Sequence, residues 1–168
     1  MSEVERLLDV ADLNVTFPSP TGAVQAVRSV SFTLARERLA IVGESGSGKS
    51  TLGHALLRLV PAPGVVRARR MWLAGHDLLA LDEHALRRVR GARIAMIMQD
   101  PKYSLNPVMR VGEQIAEAYR LHNAAGRRVA RARAREMLET VRIRDPERVF
   151  HAYPHERSGG MGQCVMTP

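Results

Sequence analysis

The residues Gly43-Glu44-Ser45-Gly46-Ser47-Gly48-Lys49-Ser50 follow the spacing G-x-x-x-x-G-K-[ST] without a mismatch. Glycines at those positions let the backbone curl, so that successive N–H groups point inward at phosphate oxygens. The helix that follows such a loop aims its positive end at the same place. In that chemistry Lys49 reaches the β- and γ-phosphates of ATP, and the Ser50 hydroxyl goes to Mg²⁺. The binding segment runs from Gly43 through Glu44, Ser45, Gly46, Ser47, Gly48, Lys49 and Ser50 to Thr51. An ordinary glycine-rich turn is the bland alternative. With glycine at about 7% of residues, a chance match in a chain of this size is on the order of one per cent. Lys49 is also one of only two lysines, with Lys102, in a chain of 25 basic residues.

Kinases, GTPases, helicases and transporter ATPases share this loop. Three later segments discriminate. Ile94–Met98 is apolar and ends in Gln99-Asp100-Pro101, and a glutamine at a strand end can ligate Mg²⁺ and touch an attacking water. Ser104-Leu105-Asn106-Pro107 comes directly after. Ser158-Gly159-Gly160 sits before Met161-Gly162-Gln163 and, opening a helix, would make a second anion site. Taken singly, the glutamine reads as a surface residue and Ser-Gly-Gly as a loop.

In order and spacing these segments resemble the Walker A, Q-loop and signature motifs of the ATP-binding-cassette (ABC) ATPases. The likeness is closest to the ATPases of oligopeptide, dipeptide and nickel importers. It rests on Val42–Ser50, on Gln99-Asp100-Pro101 with Ser104–Pro107, and on Tyr153-Pro154-His155-Glu156 before Ser158–Met161, and it spans residues 7–166. The resemblance implies an α/β fold, a P-loop NTPase core with an N-terminal antiparallel β subdomain and an inserted helical subdomain. Residues 1–107 would form the first part of the core, and residues 108–168 the helical subdomain. Phe17 would stack on adenine. Lys49 and Gln99 would serve catalysis, and Ser50 and Gln99 would hold Mg²⁺. Ser158, Gly159 and Gly160 would close on the γ-phosphate bound to a second ATPase subunit in a head-to-tail dimer. The other implied partners are transmembrane permease subunits and, indirectly, an extracytoplasmic substrate-binding protein. The implied location is the cytoplasmic face of the cell membrane.

The sequence departs from that pattern in places. Arg157 stands where the signature has Leu, Met161-Gly162-Gln163-Cys164 where the family has Met-Arg-Gln-Arg, and Arg36-Glu37-Arg38 lacks a glycine turn. The family's Walker B strand, catalytic glutamate, D-loop and switch histidine have no counterpart in the 168 residues. The expectation is therefore a chain incomplete at its C-terminus, with little or no hydrolysis and poor solubility on its own. The competing readings are a degenerate, non-catalytic nucleotide-binding fragment and a soluble ABC protein acting on nucleic acid.

The elements that must position these residues are set by periodicity. Leu7–Phe17 and Ala23–Leu34 alternate in apolar character around the turn Pro18–Gly22, which predicts an antiparallel hairpin, imperfect at Ala11-Asp12. Leu39–Val42 is wholly apolar and predicts a buried parallel strand running into the loop. A helix is expected from Lys49 to about Leu59, ended by Pro61 and Pro63. Val65–Leu73 reads as a strand, Asp82–Arg90 as a short helix with Asp82 as its N-cap, and Ile94–Met98 as a second buried strand. Val111–His122 and Arg127–Val141 read as helices, and Asp145-Pro146 as a break.

Composition bounds the rest. A hydrophobic share of 45% excludes a disordered chain, and one cysteine, Cys164, excludes an internal disulfide. The net charge of +8 would ordinarily raise nucleic acid as a partner. Here it comes almost wholly from arginine in an Ala-rich sequence, so it reads as compositional habit and no nucleic acid is expected. The arginines of Arg127–Arg135 read as a solvated helix face. The six histidines show no metal-ligand spacing.

Overall fold

A computed structural model describes residues 6–98 and 105–156. The chain divides into two units, Met1–Ala95 and Met96–Pro168.

In the first unit, alternation becomes the predicted hairpin. Strand β1 (Leu8–Ser19) pairs antiparallel with β2 (Gly22–Leu34), from Leu8 opposite Leu34 to Ser19 opposite Gly22. The imperfection at Ala11-Asp12 is a bulge: the register shifts between Val10 and Leu13, and Asp12 takes a φ of 55°. The Asp12 N–H, turned out of the ladder, donates to Ser31 Oγ at 2.8 Å. The other edge of β1 carries β3 (Val65–Arg67) and β4 (Arg70–Leu73), and β5 (His76–Asp77) extends the sheet from β4. The single strand expected over Val65–Leu73 is thus two strands along one edge. The break falls at Ala68-Arg69, beside the bulge in β1, where Arg69 N–H donates to Ala11 O at 2.9 Å.

Helix α1 (Lys49–Leu56) comes after the glycine loop, and α2 (Glu83–Val89) lies between β5 and Arg90. Asp82 caps α2 as expected, its carboxylate accepting from Ala85 N–H at 2.7 Å. Leu13, Val15, Met71 and Leu78 from the sheet side are buried with Leu52 and Ala55 of α1 and with Leu86 of α2. Helix α1 stops short of Leu59: Leu57 is its C-cap and Arg58 turns left-handed at φ 51°.

Two sequence expectations fail here. Leu39–Val42 forms no strand and is exposed, Val42 to 88%. Ile94–Met98 is not a buried strand either. Ile94 makes one parallel bridge to Arg90, and Ile97 and Met98 are exposed. The reason is physical. A parallel strand takes all its ladder hydrogen bonds from neighbours. Among the described residues no strand pairs with either segment, and every named pairing in the sheet is antiparallel.

The second unit is helical. Helix α3 (Val111–His122) has its predicted bounds, and α4 (Arg127–Thr140) ends one residue before the expected Val141. A third helix, α5 (Pro146–His151), begins where Asp145-Pro146 reads in sequence as a break. Proline suits the first helical turn, and the Asp145 carboxylate caps it by accepting from Arg148 N–H at 3.2 Å. Ala116, Ala130, Ala134, Leu138, Val149 and Phe150 make this unit's core. Gly112 lies against the Phe150 ring, so that a Cβ there would collide with it. The guanidinium of Arg135 sits 4.1 Å from the ring centroid and grips Glu147 with two hydrogen bonds, at 2.6 and 3.1 Å.

Candidate phosphate-binding site

The glycine loop is shaped by two left-handed residues, Gly46 at φ 82° and Gly48 at φ 90°. An L side chain is strained at both. Gly48 has a second reason to lack a side chain, because a Cβ would collide with the carbonyl oxygen of Ala26 on β2. Glycine there lets the start of α1 lie against the hairpin backbone. The motif marks the loop in sequence but not this partner, since nothing about Ala26 distinguishes it.

Gly48 is also the N-cap of α1. It supplies no side-chain acceptor, and the first turn carries no acidic residue. The opening N–H groups of the helix are therefore left for an external anion, and the positive end of the helix dipole points the same way. Lys49 folds its ammonium over the loop. Nζ donates to Gly43 O at 2.7 Å, to Glu44 O at 2.6 Å and to Ser47 Oγ at 3.3 Å. One cation thus ties both sides of the loop, and Ser47 N–H donates to Glu44 O at 3.2 Å within it. Ser50 lies in the first turn, exposed, and its carbonyl accepts from His54 Nδ1–H at 2.7 Å. Thr51 is half-buried one residue further. Uncapped amides, a cation and a neighbouring hydroxyl are the groups from which an anion-binding cradle is built, and a serine hydroxyl is a hard oxygen of the kind Mg²⁺ takes.

Phe17 stands near the end of β1, paired with Val24 and half-buried. Its ring packs over Gly64, where a Cβ would come to 2.6 Å from Cε1. Gln99, Ser104, Ser158, Gly159 and Gly160 lie outside the described residues. The segment before the signature is described. Tyr153 N–H donates to Glu156 Oε2 at 2.7 Å, and the Tyr153 and His155 rings stack with centroids 5.8 Å apart. His155 thus shapes this loop. Among the described residues no cluster of His, Cys, Asp or Glu could hold a metal ion.

A glycine loop with two left-handed glycines, opening on an uncapped helix beside a β-hairpin, is the local geometry that a phosphate loop takes. The ABC transporter family profile matches residues 27–167, and the chain belongs to that family. It is 47% identical over 168 residues to the oligopeptide transport ATP-binding protein OppD of Bacillus subtilis, covering 99% of this chain and 47% of that protein. It is 50% identical over 167 residues to the glutathione import ATP-binding protein GsiA of Salmonella typhimurium, covering 95% of this chain and 27% of that protein. The chain therefore spans about half of OppD, and less of GsiA. Among solved structures it resembles the ATP-binding cassette MJ0796, as a dimer in a post-hydrolysis state bound to ADP and Pi. The TM-score is 0.78 at 23% identity, over 94% of this chain and 66% of that one. That likeness bears out the cassette fold.

Proposed function

We propose that this chain supplies the phosphate-binding part of the ATP-binding subunit of an ABC importer, coupling ATP binding and hydrolysis to uptake of peptides, with nickel the other cargo of that branch. The observation that carries the reading is the cradle at Gly43–Thr51, with Gly48 pressed on Ala26 and Lys49 bent over the loop. The identity to OppD and GsiA supports the peptide branch.

In this reading the loop amides and the α1 N-terminus hold the phosphates of ATP. Lys49 exchanges its loop carbonyls for the β- and γ-oxygens. Ser50 and Gln99 are the residues that would hold Mg²⁺, which would supply charge neutralisation to the phosphates. Phe17 stacks on adenine at the rim of the hairpin. Ser158, Gly159 and Gly160 close on the nucleotide of a second ATPase subunit, head to tail. Residues 1–107 serve as the N-terminal part of the nucleotide-binding core and residues 108–168 as the helical subdomain that meets the permease. Among the described residues no helix is long and apolar enough to cross a membrane. Attachment to the cytoplasmic face then comes through permease subunits, and cargo arrives from an extracytoplasmic binding protein.

The test is uptake of a labelled oligopeptide by cells carrying a tagged, complete importer ATPase that contains these residues, together with co-purification of an integral permease. Lys49→Ala is expected to abolish uptake while leaving the permease bound. Unchanged uptake in that variant, or no permease in the purified complex, contradicts the proposal.

A further inference from the structure

Two arginines hold the far end of the phosphate-loop helix. Arg90, just past the C-terminus of α2, reaches back across more than thirty positions of sequence. Its Nε donates to Leu57 O at 2.8 Å and its Nη2 to Arg58 O at 3.0 Å. Leu57 is the C-cap of α1 and Arg58 the residue after it, and a cation is favoured at that negative end of the helix. Arg90 Nη1 donates to Glu83 Oε1 at 2.8 Å, and this bond is the main cause holding the Glu83 carboxyl below its ordinary range. Arg58 reaches the opposite way. Its Nη1 donates to Leu81 O at 2.6 Å, to Leu78 O at 3.0 Å and, more weakly, to Leu79 O at 3.4 Å.

The backbone at Arg58 sharpens the point. Helices that end on a left-handed residue mostly place glycine there. A side chain at φ 51° is strained, on the order of 1–2 kcal/mol. Arg58 occupies that position and spends its guanidinium on three carbonyls of the loop between β5 and α2. Arg90 thus clasps the backbone at the end of α1, and Arg58 the backbone of the loop that leads into α2. Arg90 also anchors the next stretch of chain, because it bridges to Ile94 at the start of the segment that runs toward Gln99.

We propose that Arg58 and Arg90 are positioning residues for nucleotide binding: their reciprocal clasp fixes the axis of α1, and through it the uncapped amides and Lys49 at the other end. The inference rests on reading α1 as the nucleotide helix. Nothing in their spacing signals such a role, and neither touches the phosphate loop.

The experiment uses the full 168-residue chain with Arg90→Lys and Arg58→Gly. Arg90→Lys keeps the charge but has no planar fork for two carbonyls and a carboxylate at once. Arg58→Gly relieves the strained backbone and removes the clasp. Two readouts are taken: amide hydrogen exchange by segment, and affinity for a fluorescent ATP analogue with Mg²⁺. Each variant is expected to speed exchange across Gly48–Leu56 by about tenfold while the amides of β1 and β4 keep their rates, and to weaken the analogue by about fivefold to tenfold. Exchange in α1 and affinity equal to the parent's would overturn the proposal. So would faster exchange shared evenly by α1, β1 and β4, which marks a loss of global stability alone. If the parent itself fails to bind the analogue, the nucleotide reading falls, and the exchange pattern still decides whether the clasp orders α1.

Discussion

Replacing Gly48 by alanine measures how the phosphate loop is held against the hairpin, with Gly46→Ala as the internal control. Both glycines are left-handed, at φ 90° and 82°. Both substitutions therefore carry a conformational cost of roughly 1–2 kcal/mol. At Gly46 nothing lies within 4 Å of the new Cβ, so the cost ends there. At Gly48 the Cβ meets the Ala26 carbonyl oxygen, a backbone atom of β2 at the irregularity between Gln25 and Val27, so backbone and not a flexible side chain must give way. Overpacking of that kind adds roughly 1–3 kcal/mol, for a total of about 2–5 kcal/mol. Urea melts of the two variants should therefore separate by roughly 1–3 kcal/mol, with Gly48→Ala the weaker. If the loop instead lifts off β2 to make room, the melt changes less and nucleotide affinity falls more at Gly48 than at Gly46. Equal melts together with equal nucleotide affinities would refute the seating of the loop on Ala26.

Three further outcomes are expected. Gly112→Ala drives a methyl into the Phe150 ring and should destabilise the helical unit by roughly 1–3 kcal/mol, read by thermal melting; a neutral result would mean α3 does not rest on that ring. Asp82→Ala removes the acceptor for Ala85 N–H and should cost about 1 kcal/mol, with exchange rising in α2 ahead of β1. Glu147 is held at about 2, below its ordinary 4.5, chiefly by the Arg135 hydrogen bond. A carboxyl lowered on folding contributes stability that is present above its unfolded value and lost as pH falls toward its folded one. Stability of the helical unit should therefore decline from about pH 4.5 toward pH 2, and Glu147→Gln should flatten that part of the profile.

Much of this architecture could be read from the chain because it rests on local rules. The hairpin follows from alternation, and α3 from helical spacing. The start of α2 follows from Asp82 alone. Pro146 misled because the same ring that stops a helix also starts one, and only Asp145 in front of it tells the two apart. Leu39–Val42 misled for a different reason. Its apolar run states a preference for burial, but the ladder that would make it a strand must come from another segment, and none pairs with it among the described residues. The glycine loop was legible because its left-handed positions at Gly46 and Gly48 restrict residue types at fixed spacing. Its supports were not. Ala26 contributes only a carbonyl. Arg90 meets Leu57 and Arg58 across the fold with no periodicity to mark it. Gln99 and Ser158–Gly160, read from motif order, lie outside the described residues.

The proposed function requires that the amides at Gly43–Thr51 and the ammonium of Lys49 bind the phosphates of a nucleotide. Equilibrium titration of the chain with a fluorescent ATP analogue and Mg²⁺, run beside Lys49→Ala, decides whether they do. Losing a charge-assisted contact of about 1.5–3 kcal/mol should weaken affinity by roughly tenfold to a hundredfold, with free phosphate or ATP displacing the analogue from the parent. Affinity unchanged by the loss of Lys49, or an analogue that neither ATP nor phosphate displaces, would mean that the loop does not hold the nucleotide.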